Sequence, residues 1–110
     1  MNWQVIYYNT KVQDAILNWP KKILQRYLRI VTLIKEEGPD LGMPFTRSVG
    51  RGLFEIRVKA QEGIGRVFFC YALKTKIVIL HSFIKKAQKI PKRELEVVKK
   101  RMKEVINHEL

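Results

Sequence analysis

Basic side chains that could contact phosphate occur on two neighbouring strand-like segments. Glu55, Arg57 and Lys59 occupy alternate positions, so on a strand they project from one face about 6.5–7 Å apart. Such a face is also typical of the solvent side of an antiparallel sheet. Arg66 follows a short link, where cross-strand neighbours of Arg57 are expected. Two adjacent arginines repel each other unless they share an anion, and guanidinium matches phosphate in bidentate geometry, so the pattern predicts a phosphate-binding face.

A third basic group follows the next strand-like segment, with Lys85, Lys86 and Lys89 close together. Such a run is usually a solvated helix entry. Here it continues the strand expected beside Arg66, so three neighbouring strands would contribute cations to one side of a sheet.

His81 and Phe83 lie inside that same segment. A lone histidine in an apolar strand is more often buried and hydrogen-bonded than catalytic. The Phe83 ring could stack on a nucleobase, or it could belong to the core. Both alternatives stay open for both residues.

The sequence has no Ser/His/Asp motif, no phosphate-cradling glycine loop and no closely spaced acid pair for magnesium. We therefore expect no metal and no cofactor, and cleavage of a phosphodiester would require attack by a neighbouring 2′-hydroxyl, which only RNA has. In that chemistry Glu55 or His81 would accept a proton. Lys85 or Lys86 would donate one, and Arg57 and Arg66 would stabilise the phosphorane charge.

Composition agrees with a polyanionic partner. The chain has 110 residues, a formal net charge of +12 and one cysteine, and residues 41–90 carry +8 of that charge. Nucleic acid is the first interpretation, ahead of an anionic membrane surface or an acidic protein. The length and the 46% hydrophobic content predict a single domain over residues 1–110. With no signal peptide or membrane span expected, we predict a cytoplasmic protein with no membrane partner.

The hydrophobic periodicity predicts an α+β fold in the order β-α-α-β-β-β-α. A helical hairpin and a C-terminal helix would surround a mostly antiparallel four-stranded sheet. The predicted elements are a strand over Trp3–Tyr8, helices over Lys11–Trp19 and from Pro20 to Gly38, a connecting loop over Asp40–Val49, strands over Leu53–Lys59, Ile64–Leu73 and Ile77–Ile84, and a helix from Pro91.

Three motifs carry a family resemblance: GLFEIR from Gly52, GRVFF from Gly65, and LHSFIKKAQKIP from Leu80. Together they resemble the RelE/HigB-type toxins of bacterial type II toxin–antitoxin systems, closest to the phage-derived HigB-like branch of the RelE/ParE superfamily. The resemblance covers nearly the whole chain. It implies a RelE-like fold and ribosome-dependent cleavage of mRNA in the A site, which inhibits translation and growth. It also implies contact with rRNA and neutralisation by a cognate antitoxin, commonly a helix-turn-helix protein.

The resemblance also assigns roles by position. Arg57 matches a catalytic basic residue, Arg66 matches the arginine that binds the scissile phosphate, and Lys85 and Lys86 fall in the basic cluster after the last strand. RelE itself has a lysine at the position of Glu55 and a catalytic tyrosine near the C-terminus. No tyrosine follows Tyr71 here, so proton transfer passes to Glu55, His81 or a lysine. We expect further RNA contacts from Arg51, Lys59, Phe83 and Lys89.

Two other functions remain alternatives. One is an RNA- or ribosome-binding protein without catalysis. The other is a gyrase poison of the ParE type, which shares the fold, because fold alone does not decide between these branches.

Overall fold

The computed structural model describes residues 2–61, 63–72, 75–85 and 89–108. Five strands and three helices follow one another along the chain. They are β1 (Gln4–Tyr7), α1 (Thr10–Leu17), α2 (Lys21–Glu37), β2 (Thr46–Gly50), β3 (Leu53–Ala60), β4 (Gly63–Ala72), β5 (Lys76–Lys85) and α3 (Lys92–His108).

Local capping explains where the helical hairpin begins and ends. The Asn9 side chain accepts a hydrogen bond from the Val12 amide at 2.9 Å and so caps α1. Pro20 stands immediately before α2, and Gly38 ends that helix with φ 95°. The buried residues of α2 recur at helical spacing, which gives the helix one apolar face toward the sheet.

The sheet has the strand order β1-β5-β4-β3-β2, with β1 parallel to β5 and every other pair antiparallel. The α+β fold class is therefore confirmed, but the predicted strand count was wrong. Residues Thr46–Gly50, placed in a loop from the sequence, form the edge strand β2. A turn at Gly50, Arg51 and Gly52 joins it to β3, with φ values of 97°, 56° and 81° that favour glycine at both flanks.

Each face of the sheet carries its own apolar core. On one face α1 and α2 cover Phe54, Ile56 and Phe69; Gly65 permits their close approach, because a Cβ there would lie 2.9 Å from Ile23 and Trp19 atoms. On the other face α3 packs through Val98 and Val105 against β4 and β5. None of the helices in the described ranges is long and apolar enough to cross a membrane.

Strand register places the charged residues on the α3 side. Glu55 pairs with Phe68, and Arg57 pairs with Arg66, which in turn pairs with Phe83. Because cross-strand partners project from the same face, these side chains form adjacent rows across three strands.

Candidate nucleic-acid interface

Arg57 and Arg66 stand directly opposite each other on β3 and β4, as the hairpin spacing predicted. The anion that they share is supplied by the protein itself. Glu55 accepts a hydrogen bond from Arg66 Nη1 at 3.1 Å through Oε2, and Arg57 Nη2 lies 3.4 Å from Oε1. The carboxylate thus offsets the repulsion between the two guanidinium groups.

A third guanidinium reaches the same carboxylate from β2. Arg47 pairs with Glu55 in the β2–β3 ladder, and its Nη2 and Nε donate to Glu55 Oε1 at 2.8 and 3.2 Å. We call Arg47, Arg57 and Arg66 with Glu55 the arginine cluster. Within these four residues three guanidinium groups surround one carboxylate, so the arginine cluster has a formal charge of +2.

Burial divides the arginine cluster into a support and a contact surface. The side chains of Glu55 and Arg66 are 1% and 0% exposed, whereas those of Arg57 and Arg47 are 22% and 44% exposed. Both oxygens of Glu55 accept hydrogen bonds from arginines. From the sequence, a solvent face was one alternative for Glu55, and Glu55 or His81 was the predicted proton acceptor. In the structure Glu55 lies beneath the surface as a shared counter-ion. Arg57 and Arg47 present the accessible N–H donors.

His81 is engaged at both ring nitrogens. Its Nε2 lies 3.0 Å from Glu94 Oε1, and its Nδ1 lies 3.4 Å from Arg101 Nη1. An arginine can only donate, so Nδ1 accepts and Nε2 carries the proton that is donated to Glu94. This tautomer leaves neither nitrogen open to a substrate hydroxyl. The structure therefore makes His81 a link between β5 and α3.

Arg101 extends that link into a polar network on α3. It donates to the Leu80 carbonyl at 2.8 Å, and its guanidinium carbon lies 4.7 Å from the centre of the Tyr8 ring. The Tyr8 hydroxyl donates to Glu104. That hydrogen bond, together with desolvation, raises the pKa of Tyr8 above its ordinary value. The network fixes α3 against the sheet next to the arginine cluster.

Phe83 lies in the core and not at the surface. It is 8% exposed, and its ring centre lies 6.1 Å from that of Phe68 and 5.9 Å from that of His81. Of the two alternatives for Phe83, core packing is the one observed, because the ring is covered by neighbouring side chains.

The other predicted residues lie at different ends of the sheet. Lys85 is exposed at the end of β5, opposite Ile64 and on the same face as Arg66 by register. Lys59 is exposed near the end of β3, and Lys89 is exposed just before α3. Arg51 lies in the β2–β3 turn, at the opposite end of β3 from Lys59. Lys86 lies outside the described residues.

The sequence interpretation missed Arg47, Glu94 and Arg101. Arg47 had a usable signal, because Thr46–Gly50 precedes the Gly50-Arg51-Gly52 turn and thus forms a hairpin with the following strand. Glu94 and Arg101 had none, since their contacts depend on how α3 docks on β5.

Comparisons with known proteins agree with this architecture. A family described as "Phage derived protein Gp49-like (DUF891)" matches residues 14–103. A chain from the crystal structure of the archaeal RelE–RelB complex of Pyrococcus horikoshii OT3 superposes with a TM-score of 0.59 at 22% identity. The match covers 81% of this chain and 100% of that one. A search of curated proteins gave no significant match. The chain belongs to the phage-derived Gp49-like family and has the fold of a RelE-type toxin.

Proposed function

We propose that this protein is the toxin of a type II toxin–antitoxin pair and cleaves mRNA on the ribosome. The observation that carries the proposal is the arginine cluster, in which a buried carboxylate holds three guanidinium groups together and leaves two of them accessible. A site of net charge +2 is suited to a phosphodiester, whose charge increases from −1 toward −2 as the phosphorane forms.

The cluster is organised before substrate arrives. Glu55 fixes Arg47 and Arg57 through hydrogen bonds of 2.8 to 3.4 Å, so little side-chain entropy is lost when they bind phosphate. Arg66 adds a buried positive charge behind them, in a region from which water is largely excluded. Preorganised donors of this kind stabilise developing charge more effectively than mobile lysines.

The proposed reaction uses the RNA itself as nucleophile. The 2′-oxygen attacks phosphorus and releases its proton to water, while the bond from phosphorus to the 5′-oxygen breaks. Lys85, exposed on the same face, donates a proton to the departing 5′-oxygen. The products are a 2′,3′-cyclic phosphate and a 5′-hydroxyl. Glu55 and His81 act as supports in this scheme, because their acceptor atoms already receive hydrogen bonds within the protein.

The proposal includes a cognate antitoxin. The similar archaeal chain comes from a RelE–RelB complex, which supports a protein partner for this chain as well. The formal charge of +12 favours an acidic segment in that partner, since neutralisation would strengthen association.

The test is induced expression in a bacterial host with 5′-end mapping of a reporter mRNA. We expect cuts within the translated region for the wild type, and at least about a hundredfold fewer for Arg57→Ala. Lys22→Ala removes an exposed charge on α2 and serves as the matched control, with cutting unchanged. Arrest of DNA replication with intact mRNA would instead favour a gyrase poison, and growth inhibition with neither effect would favour a non-catalytic ribosome-binding protein.

A further inference from the structure

A second basic surface adjoins the arginine cluster. A cleft of about 420 Å³ opens between α2, the loop before β2 and the end of β3, within the size range of small-molecule sites. We call it the Phe45 cleft. The residues that line it are Arg26, Arg29, Ile30, Met43, Pro44, Phe45, Arg57, Val58 and Lys59.

The lining combines cations with exposed apolar groups. Among its described residues four are basic and none is acidic. Phe45 and Met43 are 40% and 65% exposed at the rim, although most large apolar side chains of this chain are buried. An aromatic face beside several cations is the arrangement with which proteins bind single-stranded nucleic acid, because bases stack on rings while cations contact phosphates.

Phe45 is held in place by its own loop. The amides of Phe45 and Thr46 donate to the Gly42 carbonyl, each at 3.0 Å. The buried Thr46 hydroxyl accepts from the amides of Leu41 and Gly42 at 3.0 and 3.2 Å. The ring is therefore presented from a hydrogen-bonded turn, which lowers the entropy cost of stacking.

The wall of the Phe45 cleft opposite Phe45 is formed by β3 and is also held by hydrogen bonds. The β2–β3 ladder begins with Thr46 opposite Ile56, so the last four residues of β3 continue past the start of β2. Three of these four, Arg57, Val58 and Lys59, border the cleft. Arg26 donates from α2 to the Lys59 carbonyl in this part of β3.

Arg57 connects the two surfaces, because it contacts Glu55 in the arginine cluster and also lines the Phe45 cleft. We propose that the Phe45 cleft binds the nucleotide next to the scissile phosphodiester of a single-stranded RNA. The base stacks on Phe45, and the backbone phosphate contacts Arg29 and Lys59. This inference rests on the proposed function and extends it from one phosphate to a strand of RNA.

Binding of a fluorescein-labelled RNA hexamer, followed by anisotropy without ribosomes, tests the inference. We expect Phe45→Ala to weaken binding about tenfold, since the stacking of one base on an aromatic ring contributes about that factor to the affinity. Phe45→Trp should restore the affinity. Leu17→Ala removes an exposed apolar side chain from α1, outside the cleft, and should leave the affinity unchanged.

Two further arms separate stacking from charge. In a second hexamer the base at the stacked position is removed. The wild type should bind this abasic hexamer about tenfold more weakly than the intact hexamer, whereas Phe45→Ala should bind the two hexamers equally. The logarithm of affinity falls linearly with the logarithm of salt concentration, and each phosphate contact on a single strand adds about 0.7 to the steepness of that fall. Arg29→Ala should therefore make the fall less steep by about 0.7.

The inference is overturned if Phe45→Ala and Arg29→Ala bind the hexamer as the wild type does. It is also overturned if a peptide of alternating leucine and glutamate, and not RNA, shows the dependence on Phe45, which would assign the cleft to a protein partner. The assay measures binding alone. A wild type that binds RNA through Phe45 but never cuts mRNA would refute the proposed function, and with it the position beside a scissile phosphodiester, but would uphold the binding of single-stranded RNA by the Phe45 cleft.

Discussion

Glu55 and Arg66 form an ion pair on neighbouring strands, with Glu55 Oε2 3.1 Å from Arg66 Nη1 and both side chains withdrawn from solvent. Burying two charges is costly unless each is well paired, and here the carboxylate also accepts hydrogen bonds from Arg47 and Arg57. The buried pair therefore holds the accessible Arg47 and Arg57 in position.

Replacing Glu55 by glutamine should destabilise the fold. The amide keeps the shape but removes the carboxylate charge that pairs with three guanidinium groups, so we expect the free energy of unfolding to fall by about 3 kcal/mol. Urea unfolding measures this, and added phosphate should restore part of the loss by replacing the missing anion. Glu36→Gln, at an exposed position of α2, is the control and should change stability by less than about 0.5 kcal/mol. A Glu55→Gln protein as stable as the wild type would refute the counter-ion role.

Arg47 should matter for cleavage more than for stability. Its side chain is 44% exposed, so Arg47→Ala should lower the free energy of unfolding by less than about 1 kcal/mol. Cleavage of mRNA should fall at least about tenfold, because one of the two accessible arginines that would donate hydrogen bonds to the phosphate is lost. Arg93→Ala, which removes an exposed arginine from α3, is the matched control. Equal cleavage by Arg47→Ala and Arg93→Ala would remove Arg47 from the site.

His81→Gln tests whether the histidine is a support or a proton acceptor. A glutamine amide can still donate toward Glu94, so we expect mRNA cleavage within about threefold of wild type and a loss of about 1 kcal/mol in unfolding free energy. Cleavage rates and urea unfolding should be measured on the same preparation. A loss of cleavage above about a hundredfold in a stably folded His81→Gln protein would restore the histidine as general base.

The sequence predicted the pairing of Arg57 with Arg66 because a short hairpin link and two alternating strands leave few registers. It also predicted that the two arginines need a shared anion. It did not identify Glu55 as that anion, since alternation with Arg57 and Lys59 is equally typical of a solvent face. The burial of Glu55 depends on the neighbouring strands and on packing across the sheet, which local patterns do not contain.

The sequence also failed to predict strand β2, for a similar reason. Thr46–Gly50 is short and is preceded by Gly42 and Pro44, which are typical of a loop. The hairpin turn at Gly50-Arg51-Gly52 was the one signal in favour of a strand. Edge strands are often short and polar, which prevents sheet-to-sheet aggregation but also weakens their hydrophobic pattern. The predicted roles of the arginines and lysines stay predictions until cleavage is measured.

Cys70 gives a pH-dependent prediction. Burial raises the pKa of its thiol to about 11, from an ordinary value of 9.0. The unfolded chain ionises this thiol at lower pH than the folded chain does. The contribution to stability is therefore complete below about pH 9 and is lost as pH rises toward about 11.

Urea unfolding of wild type and Cys70→Ala across that range checks this prediction. The difference in unfolding free energy between them should shrink by about 1 to 3 kcal/mol as pH rises. A difference that does not change with pH would show that the thiol titrates alike in both states. At neutral pH a thiol reagent should modify the folded protein far more slowly than the unfolded one, because the group is buried and protonated.

Cleavage of mRNA by the arginine cluster on the ribosome can be tested in a reaction reconstituted from purified components. Purified wild type, Arg57→Ala and Arg57→Lys should each be mixed with labelled mRNA, once on programmed ribosomes and once alone. We predict cleavage by the wild type only on ribosomes, 2′,3′-cyclic phosphate ends, little cleavage by Arg57→Lys and none by Arg57→Ala. Intact mRNA with the folded wild-type protein on ribosomes, or equal cleavage by Arg57→Ala, would show that the arginine cluster does not cleave mRNA.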